Sequence, residues 1–216
     1  MASKESRPTA RLTDRGAATK ARIVAGAASL VQEHGVAGTS LDAVMTATNT
    51  SRSQLYHYFD NKDALIGEVI KTQFGRVIAA QEPLLRELSS WEGLQRWCDH
   101  LVTMVRETQG VGGCPLGSLV SELADRSESA RLELARSFAE WQSYLSAGFA
   151  AMRDNDELSA EADVDDLALT MMSALQGGLL MAQTTRSARP LELALNMALG
   201  HTAGYRRKTT QKPPPP

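Results

Sequence analysis

The sequence is poor in the residues that build sheets, disulfides and membrane spans. Aromatic residues make up 5% of its 216 residues, and Ala and Leu dominate an apolar fraction of 43%, a composition that favours helices over strands. Its two cysteines, Cys98 and Cys114, have no CxxC or Cys/His metal spacing, so we expect free thiols in a reducing cytoplasm and no metal or cofactor. Polar residues and glycines interrupt the longest apolar stretch, 167–182, so we expect a buried helix there and no membrane contact.

Motifs of catalytic sites are also missing. The sequence contains no HExxH, no Walker loop, no GxSxG and no paired carboxylates in a recognisable setting. The glycine-rich segment 110–113 follows a helical pattern, whereas a dinucleotide fingerprint follows a strand. We therefore expect that the protein is not an enzyme.

The charges are unevenly distributed. Residues 1–62 contain eight Lys or Arg and five Asp or Glu, a net charge of +3, and the remainder carries −5. A basic N-terminal segment followed by an acidic remainder is the distribution expected if the N-terminal segment binds phosphate groups. Chance fluctuation is the alternative.

Helical periodicity dominates between two polar ends. We expect residues 1–17 to form a flexible basic arm and residues 208–216, which end in four prolines, to form a disordered tail. The apolar spacing predicts about nine helices and no strand, hence an all-α fold. We divide it into a small domain, 18–64, and a larger helical domain, 65–207.

The stretch 39–62 has the layout of a helix-turn-helix. Thr39-Ser40 caps a short first helix, Asn49 supplies a left-handed turn, and Ser51 caps a short second helix whose Leu55 and Phe59 face the core. The opposite face presents donor-rich side chains suited to a DNA major groove, namely Arg52, Ser53, Gln54, Tyr56 and His57. A solvated amphipathic helix is the alternative.

This stretch resembles the TetR family of bacterial repressors. The match comprises Ser51, Leu55-Tyr56-His57-Tyr58-Phe59 and Lys62-Asp63-Ala64-Leu65. Thr48-Asn49-Thr50 stands where Ala-Gly-Val is usual, and Thr50 is expected to loosen the turn slightly. The strong resemblance covers residues 18–66. It implies a three-helix DNA-binding domain followed by a larger ligand-binding and dimerisation domain.

The resemblance also implies roles for single residues. Arg52, Ser53, Gln54 and His57 enter the major groove, where Arg52 binds a guanine and Gln54 an adenine. Phosphates are bound by Tyr56, by Thr39 or Ser40, and by Lys62 at a helix N-terminus. Arg11, Arg15 and Lys20 add backbone contacts. The alternatives are that His57 only caps or stacks and that the charges of the arm keep it soluble.

One such domain contacts too little DNA to select an operator, so we expect a homodimer that binds a palindrome. Two apolar stripes on the last two predicted helices are candidates for its interface: Leu167, Met171, Ala174, Leu175, Gly178 and Leu179 on one, and Leu191, Ala194, Leu195, Ala198, Leu199 and Thr202 on the other. Ordinary core packing within the chain is the alternative for both.

The larger domain offers aromatic and methionine side chains for a small-molecule pocket. The candidate wall residues are Trp97, Leu101, Met104, Phe138, Trp141, Tyr144, Met171, Met172 and Leu175, each with plain core packing as its alternative. The resulting hypothesis is a cytoplasmic, ligand-responsive repressor that binds palindromic operator DNA as a homodimer and is released by an apolar or aromatic effector. The alternatives are an activator of the same fold and a helical binding or scaffold protein without operator binding.

Overall fold

The computed structural model describes residues 13–207, and within that range the chain is built from helices. The ten helices are α1 (Asp14–Gly38), α2 (Leu41–Thr48), α3 (Arg52–Tyr58), α4 (Lys62–Ala79), α5 (Glu82–Leu85), α6 (Trp91–Thr108), α7 (Pro115–Leu123), α8 (Glu128–Asp154), α9 (Val164–Thr185) and α10 (Arg189–Ala203). The predicted all-α fold is confirmed. The prediction of about nine helices omits α5, whose four residues are too few to show a helical period.

The predicted arm and tail lie largely outside the described residues. Where the structure begins, Thr13 already caps α1, because its hydroxyl accepts a hydrogen bond from the Gly16 backbone N–H at 3.2 Å. The first helix therefore begins at Asp14, ahead of the domain boundary predicted at residue 18. Gly35 interrupts α1 with φ 70°, a conformation that glycine adopts without a steric penalty.

The described residues divide into two compact units after residue 72, and this boundary falls inside α4. The first unit extends past the predicted boundary at residue 64 because α4 contributes Leu65 and Val69 to its core. The other buried members of that core are Ile23, Val24, Ala27, Ala28, Val44, Leu55 and Phe59. Helices α1 to α3 are thus held around one apolar cluster.

The second unit is a helical domain with two buried tryptophans. Trp97 and Trp141 are among its largest fully buried side chains, and the Trp97 indole N–H donates to Gln81 Oε1 at 2.9 Å. Helices α9 and α10 approach closely at Gly178, where an added Cβ would lie 2.8 Å from Leu191 Cα. In the described residues, β pairing amounts to one isolated bridge between Leu158 and Arg206.

Among the described helices, none combines the length and the apolar character that a membrane crossing requires. Within residues 13–207, no three His, Cys, Asp or Glu side chains come together as a metal ion would need.

Candidate nucleic-acid interface and cavity

The turn between α2 and α3 depends on a left-handed residue. Asn49 ends α2 with φ 46° and ψ 52°, a conformation that asparagine adopts more readily than most other residues with a side chain. Thr50 is buried, and its hydroxyl donates to the Thr48 carbonyl and lies 2.9 Å from the Thr48 hydroxyl. The turn therefore holds Thr50 without leaving its buried hydroxyl unpaired.

Ser51 and Gln54 fix the start of α3 with a capping box. The Gln54 backbone N–H donates to Ser51 Oγ at 3.2 Å, and the Ser51 backbone N–H donates to Gln54 Oε1 at 3.0 Å. The cap thus uses the oxygen of the Gln54 amide and leaves the N–H groups of its Nε2 free to donate outward.

The hydrophilic face of α3 points to solvent. Leu55 and Phe59 are buried, whereas the predicted reading residues Arg52, Ser53, Gln54, Tyr56 and His57 are all exposed. The Arg52 guanidinium carbon lies 5.8 Å from the centre of the Tyr56 ring, and the His57 ring meets Tyr58 edge-on at 4.9 Å. Five donor-bearing side chains are therefore presented together on one short helix.

The flanking phosphate candidates are placed differently from one another. Thr39 is only 3% exposed, and its hydroxyl donates to the Gly35 carbonyl at 2.8 Å, so it does not reach the surface that α3 presents. Ser40 is exposed and caps α2 by accepting from the Ala43 N–H at 3.0 Å. Lys62 is half-buried, and its ammonium donates to the Val36 carbonyl at 2.5 Å.

The three basic residues predicted to add contacts to the DNA backbone also differ in their surroundings. Arg11 lies outside the described residues, and Arg15 is exposed on α1. Lys20 forms an ion pair with Glu68 at 2.7 Å. Burial raises the pKa of Glu68, but the hydrogen bonds and charges of Lys20 and Lys71 outweigh this and hold that pKa below its ordinary value.

A cavity of about 760 Å³ lies in the second unit. Its wall comes from α7 and the residue before it (Cys114, Gly117, Ser118, Val120, Ser121), from α8 (Phe138, Gln142) and from α9 (Leu169, Met172, Ser173, Gln176, Gly177, Leu180, Gln183). These fourteen residues include no Asp, Glu, Lys, Arg or His. The cavity is thus a neutral site of mixed polar and apolar character.

Two of the nine predicted wall residues, Phe138 and Met172, line this cavity. The others lie elsewhere in the second unit: Trp97, Leu101, Trp141, Met171 and Leu175 are buried in its core, Tyr144 is half-buried, and Met104 is exposed. Sequence reasoning missed the wall that α9 contributes, where Leu169, Ser173, Gln176 and Leu180 recur at helical spacing. Because polar and apolar side chains are mixed there, these residues form no apolar stripe that the sequence would reveal.

Comparison with known proteins places both units in one family. Residues 23–69 match the family described as bacterial regulatory proteins, tetR family, and residues 91–198 match the tetracyclin repressor-like C-terminal domain. The chain belongs to the TetR family of bacterial transcriptional regulators. It is therefore a helix-turn-helix, DNA-binding regulator of a non-enzymatic family, which confirms the predictions of family, regulatory function and lack of enzymatic activity.

Relatives of this TetR-family chain match nearly their whole length. The transcriptional regulator YxaF of Bacillus subtilis (strain 168) is 25% identical over 185 residues, which cover 84% of this chain and 93% of that protein. The transcriptional repressor DhaR of Mycobacterium sp. (strain GP1) is 22% identical, with 76% and 82% covered. A TetR-family regulator from Cytophaga hutchinsonii has a similar fold, with a TM-score of 0.79, 21% identity, and 92% and 100% covered.

The two thiols of this TetR-family protein are buried. Burial raises the pKa of the Cys98 thiol to about 12. Burial also raises the pKa of the Cys114 thiol, although the backbone N–H groups of Gly117 and Leu116 and the side chain of Gln176 oppose this. Both thiols therefore stay protonated at neutral pH, whereas reactive cysteines are thiolates.

Most residues of the two stripes that were predicted to form the dimer interface are buried in the core of the subunit itself. Leu167, Met171 and Leu175 on α9 and Leu191 and Leu195 on α10 are buried, because the regular stripes of this TetR-family domain contribute to its own core. The large apolar side chains that α9 and α10 expose are Leu169, Leu180, Met181, Leu193 and Met197. Leu169 and Leu180 line the cavity, so an intersubunit contact through these helices would use Met181, Leu193 and Met197.

Proposed function

We propose that this TetR-family regulator is a ligand-responsive repressor that binds a palindromic operator as a homodimer. The observation that carries the proposal is the exposed face of α3, which presents Arg52, Ser53, Gln54, Tyr56 and His57 on a helix held by a capping box. Side chains of these types pair with base edges and phosphates in the major groove.

In this proposal the residues of α3 divide between bases and backbone. Arg52 makes a bidentate contact with a guanine, Gln54 uses Nε2 toward a base, and Ser53 and His57 lie beside them in the groove. Tyr56 binds a phosphate and fixes the register.

The flanking elements bind the DNA backbone. Ser40 contributes a hydroxyl, and Lys62 donates to phosphate with the N–H groups that its bond to Val36 leaves over. Thr39 was the other residue predicted to bind this phosphate, but its hydroxyl donates to the Gly35 carbonyl. We therefore assign the phosphate contact to Ser40.

In this proposal, homodimerisation through α9 and α10 supplies the second DNA-binding domain. Met181 exposes apolar surface on α9 outside the cavity, and Leu193 and Met197, four residues apart, expose it on one side of α10. A second copy of this chain is the occupant that a palindromic site requires, since a two-fold axis places two identical heads on two identical half-sites.

The cavity between α7, α8 and α9 is the site for an effector. Its volume of about 760 Å³ lies within the range of pockets that enclose small molecules. Ligand binding then favours a state in which the two α3 helices no longer match successive major grooves, and the operator is released. Repression, as opposed to activation, is supported by the name of the relative DhaR.

A gel-shift titration with DNA from upstream of the gene, repeated over a series of salt concentrations, tests the proposal. Specific binding should exceed binding to scrambled DNA by about a thousandfold or more, and affinity should fall steeply with salt. A helical scaffold protein would bind both DNAs equally. A promoter-reporter assay in cells separates a repressor, whose deletion raises expression, from an activator, whose deletion lowers it.

A further inference from the structure

The wall of the cavity carries hydrogen-bonding groups without charge. Gln142, Gln176 and Gln183 lie among its lining residues, with serines from α7 and α9, and Phe138 and Met172 supply apolar contact. The one thiol on the wall, Cys114, stays protonated because burial raises its pKa. A ligand inside the cavity therefore meets donors and acceptors on several sides but no counter-charge.

This chemistry selects against ions. A charged ligand that leaves water for a neutral cavity loses hydration and gains no ion pair, which makes its transfer unfavourable. The serine hydroxyls of α7 already donate to the Cys114 and Gly117 carbonyls. A purely apolar ligand would nevertheless leave the glutamine amides facing hydrocarbon, which is also unfavourable. An uncharged molecule with an apolar body and several polar groups avoids both costs.

Gln176 is the wall residue whose amide N–H lacks a strong hydrogen-bond acceptor. Its Nε2 atom is buried and has no hydrogen-bond partner among the described residues beyond the weakly accepting sulfur of Cys114 beside it. Gly117 makes room for this amide, since an added Cβ there would lie 3.3 Å from Gln176 Oε1. Gln176 lines the cavity, so an acceptor on a ligand placed against this amide would satisfy its N–H.

We propose that the cavity binds an uncharged small molecule that has an apolar body and hydrogen-bonding groups, and that Gln176 recognises an acceptor on it. This inference rests on the proposed function, in which a small molecule controls DNA binding, and it narrows the chemical class of that molecule. It also names a specificity-determining residue that lies outside the predicted wall set.

Three probes with the same three-ring body test the charge rule. Anthracene carboxamide is neutral and hydrogen-bonding, anthracene carboxylate is an anion, and the anthracenylmethyl trimethylammonium ion is a cation. Fluorescence titration of the full-length protein should give at least about tenfold tighter binding of the carboxamide than of either ion. The proposal is overturned if either ion binds as tightly as the carboxamide or more tightly. It is also overturned if the carboxamide does not bind, which is the result expected if a second copy of the chain fills the cavity.

Substitution of Gln176 tests the recognition step. Gln176→Leu removes the amide at similar volume and should weaken carboxamide binding by about tenfold. Gln176→Asn keeps the amide but shortens the side chain by one methylene group, so the amide no longer reaches the ligand and binding should also weaken. Gln95→Leu is the matched control because Gln95 is exposed on α6 and does not line the cavity. If both Gln176 variants bind the carboxamide like the wild type, or if Gln95→Leu loses binding equally, the assignment of Gln176 is wrong.

A second readout separates this inference from the proposed function. The carboxamide is added to the complex of the protein with its operator, and release of DNA is followed by fluorescence anisotropy. Tight binding without release supports the cavity chemistry and contradicts effector-controlled repression. Release that persists unchanged in both Gln176 variants contradicts the recognition step and leaves the repressor proposal standing.

Discussion

At the scale of single residues, α3 uses some side chains to hold itself together and others to face outward. Ser51 and one end of Gln54 are used in the cap, and Leu55 anchors the helix in the core. Arg52 has no part in either task, and its contact within the chain is the stacking on Tyr56. A change at Arg52 should therefore affect DNA recognition and leave the fold intact.

Replacing Arg52 by Ala should relax base preference. The loss of a bidentate contact costs about 1–3 kcal/mol of discrimination, which lowers the ratio of operator to scrambled-DNA affinity about 5- to 150-fold. Arg52→Lys keeps the charge but loses the fork of donors, so it should lose most of the discrimination and retain the salt dependence. An unchanged affinity ratio in Arg52→Ala would remove this residue from the reading face.

Lys62→Ala provides the contrasting result. It should weaken binding to all sequences alike and reduce the slope of affinity against salt by about one charge. Because Lys62 also bonds to the Val36 carbonyl, its thermal stability must be measured in parallel, and binding is compared at a temperature where both proteins are folded.

The ion pair between Lys20 and Glu68 makes the stability of the first unit depend on pH. The pKa of Glu68 in the folded protein is below its ordinary value of 4.5. Its contribution is therefore fully present above that value and is lost as the pH falls through the lower, folded-state pKa. The acid limb of the stability curve should include this residue.

Glu68→Gln should lower the free energy of unfolding by about 0.5–1 kcal/mol at neutral pH, since both partners are partly exposed. The difference from wild type should shrink as the pH falls below 4.5. Urea unfolding across this pH range measures it. Glu140→Gln is the control, because Glu140 is exposed on α8 and forms no ion pair within the described residues. A difference that stays constant down to low pH would mean that the charge of Glu68 does not stabilise the fold.

At the scale of helices, the pairing of α9 with α10 depends on one small residue. An added Cβ at Gly178 would lie 2.8 Å from both Cα and Cδ1 of Leu191. The Leu191 side chain can rotate away, but its Cα belongs to the backbone of α10. Any larger residue must therefore push the two helices apart.

Gly178→Ala should destabilise the protein by about 1–3 kcal/mol, the usual cost of overpacking a close helix contact. Gly75→Ala is the matched control in α4, where an added Cβ meets nothing within 4 Å, and it should raise stability by up to about 1 kcal/mol through helix propensity. Chemical unfolding of both variants gives the comparison. Equal stabilisation by both would show that α9 and α10 can separate without cost.

The helices themselves could be predicted well, because their signals are local. Ser51 caps α3, Asn49 supplies the left-handed turn, and Gly35 interrupts α1, each through the chemistry of one residue. The inward positions of Leu55 and Phe59 follow from their spacing of four residues. The predicted reading face therefore agrees with the exposed side of α3.

The cavity and the exposed apolar face could not be predicted in the same way. Helical spacing indicates which side of a helix is apolar but not which neighbour covers it. The indole of Trp97 pairs with Gln81, which lies sixteen positions earlier, so an aromatic side chain that suits a pocket belongs to the core. The regular stripes of α9 and α10 likewise pack within the chain, and the less regular ones are exposed.

At the scale of the whole molecule, DNA binding should depend on the contact between copies. Met197 is 71% exposed on α10, so its side chain contributes little to the packing of its own subunit. It lies one turn from Leu193, which is also exposed. A charge at this position would have to be buried without a partner in a dimer but would remain hydrated in a monomer. The substitution therefore separates assembly from folding.

Met197→Glu should convert the protein from dimer to monomer in sedimentation equilibrium and leave its helical circular dichroism unchanged. Operator affinity should fall by about a hundredfold or more, because one half-site supplies much less binding energy than two held at a fixed spacing. Leu132→Glu is the matched control, since Leu132 is 45% exposed on α8, outside the proposed face. If Met197→Glu stays dimeric, the two copies meet elsewhere. If it is monomeric and still binds the palindrome with wild-type affinity, the reading of paired half-sites by a dimer is wrong, whatever the role of α3.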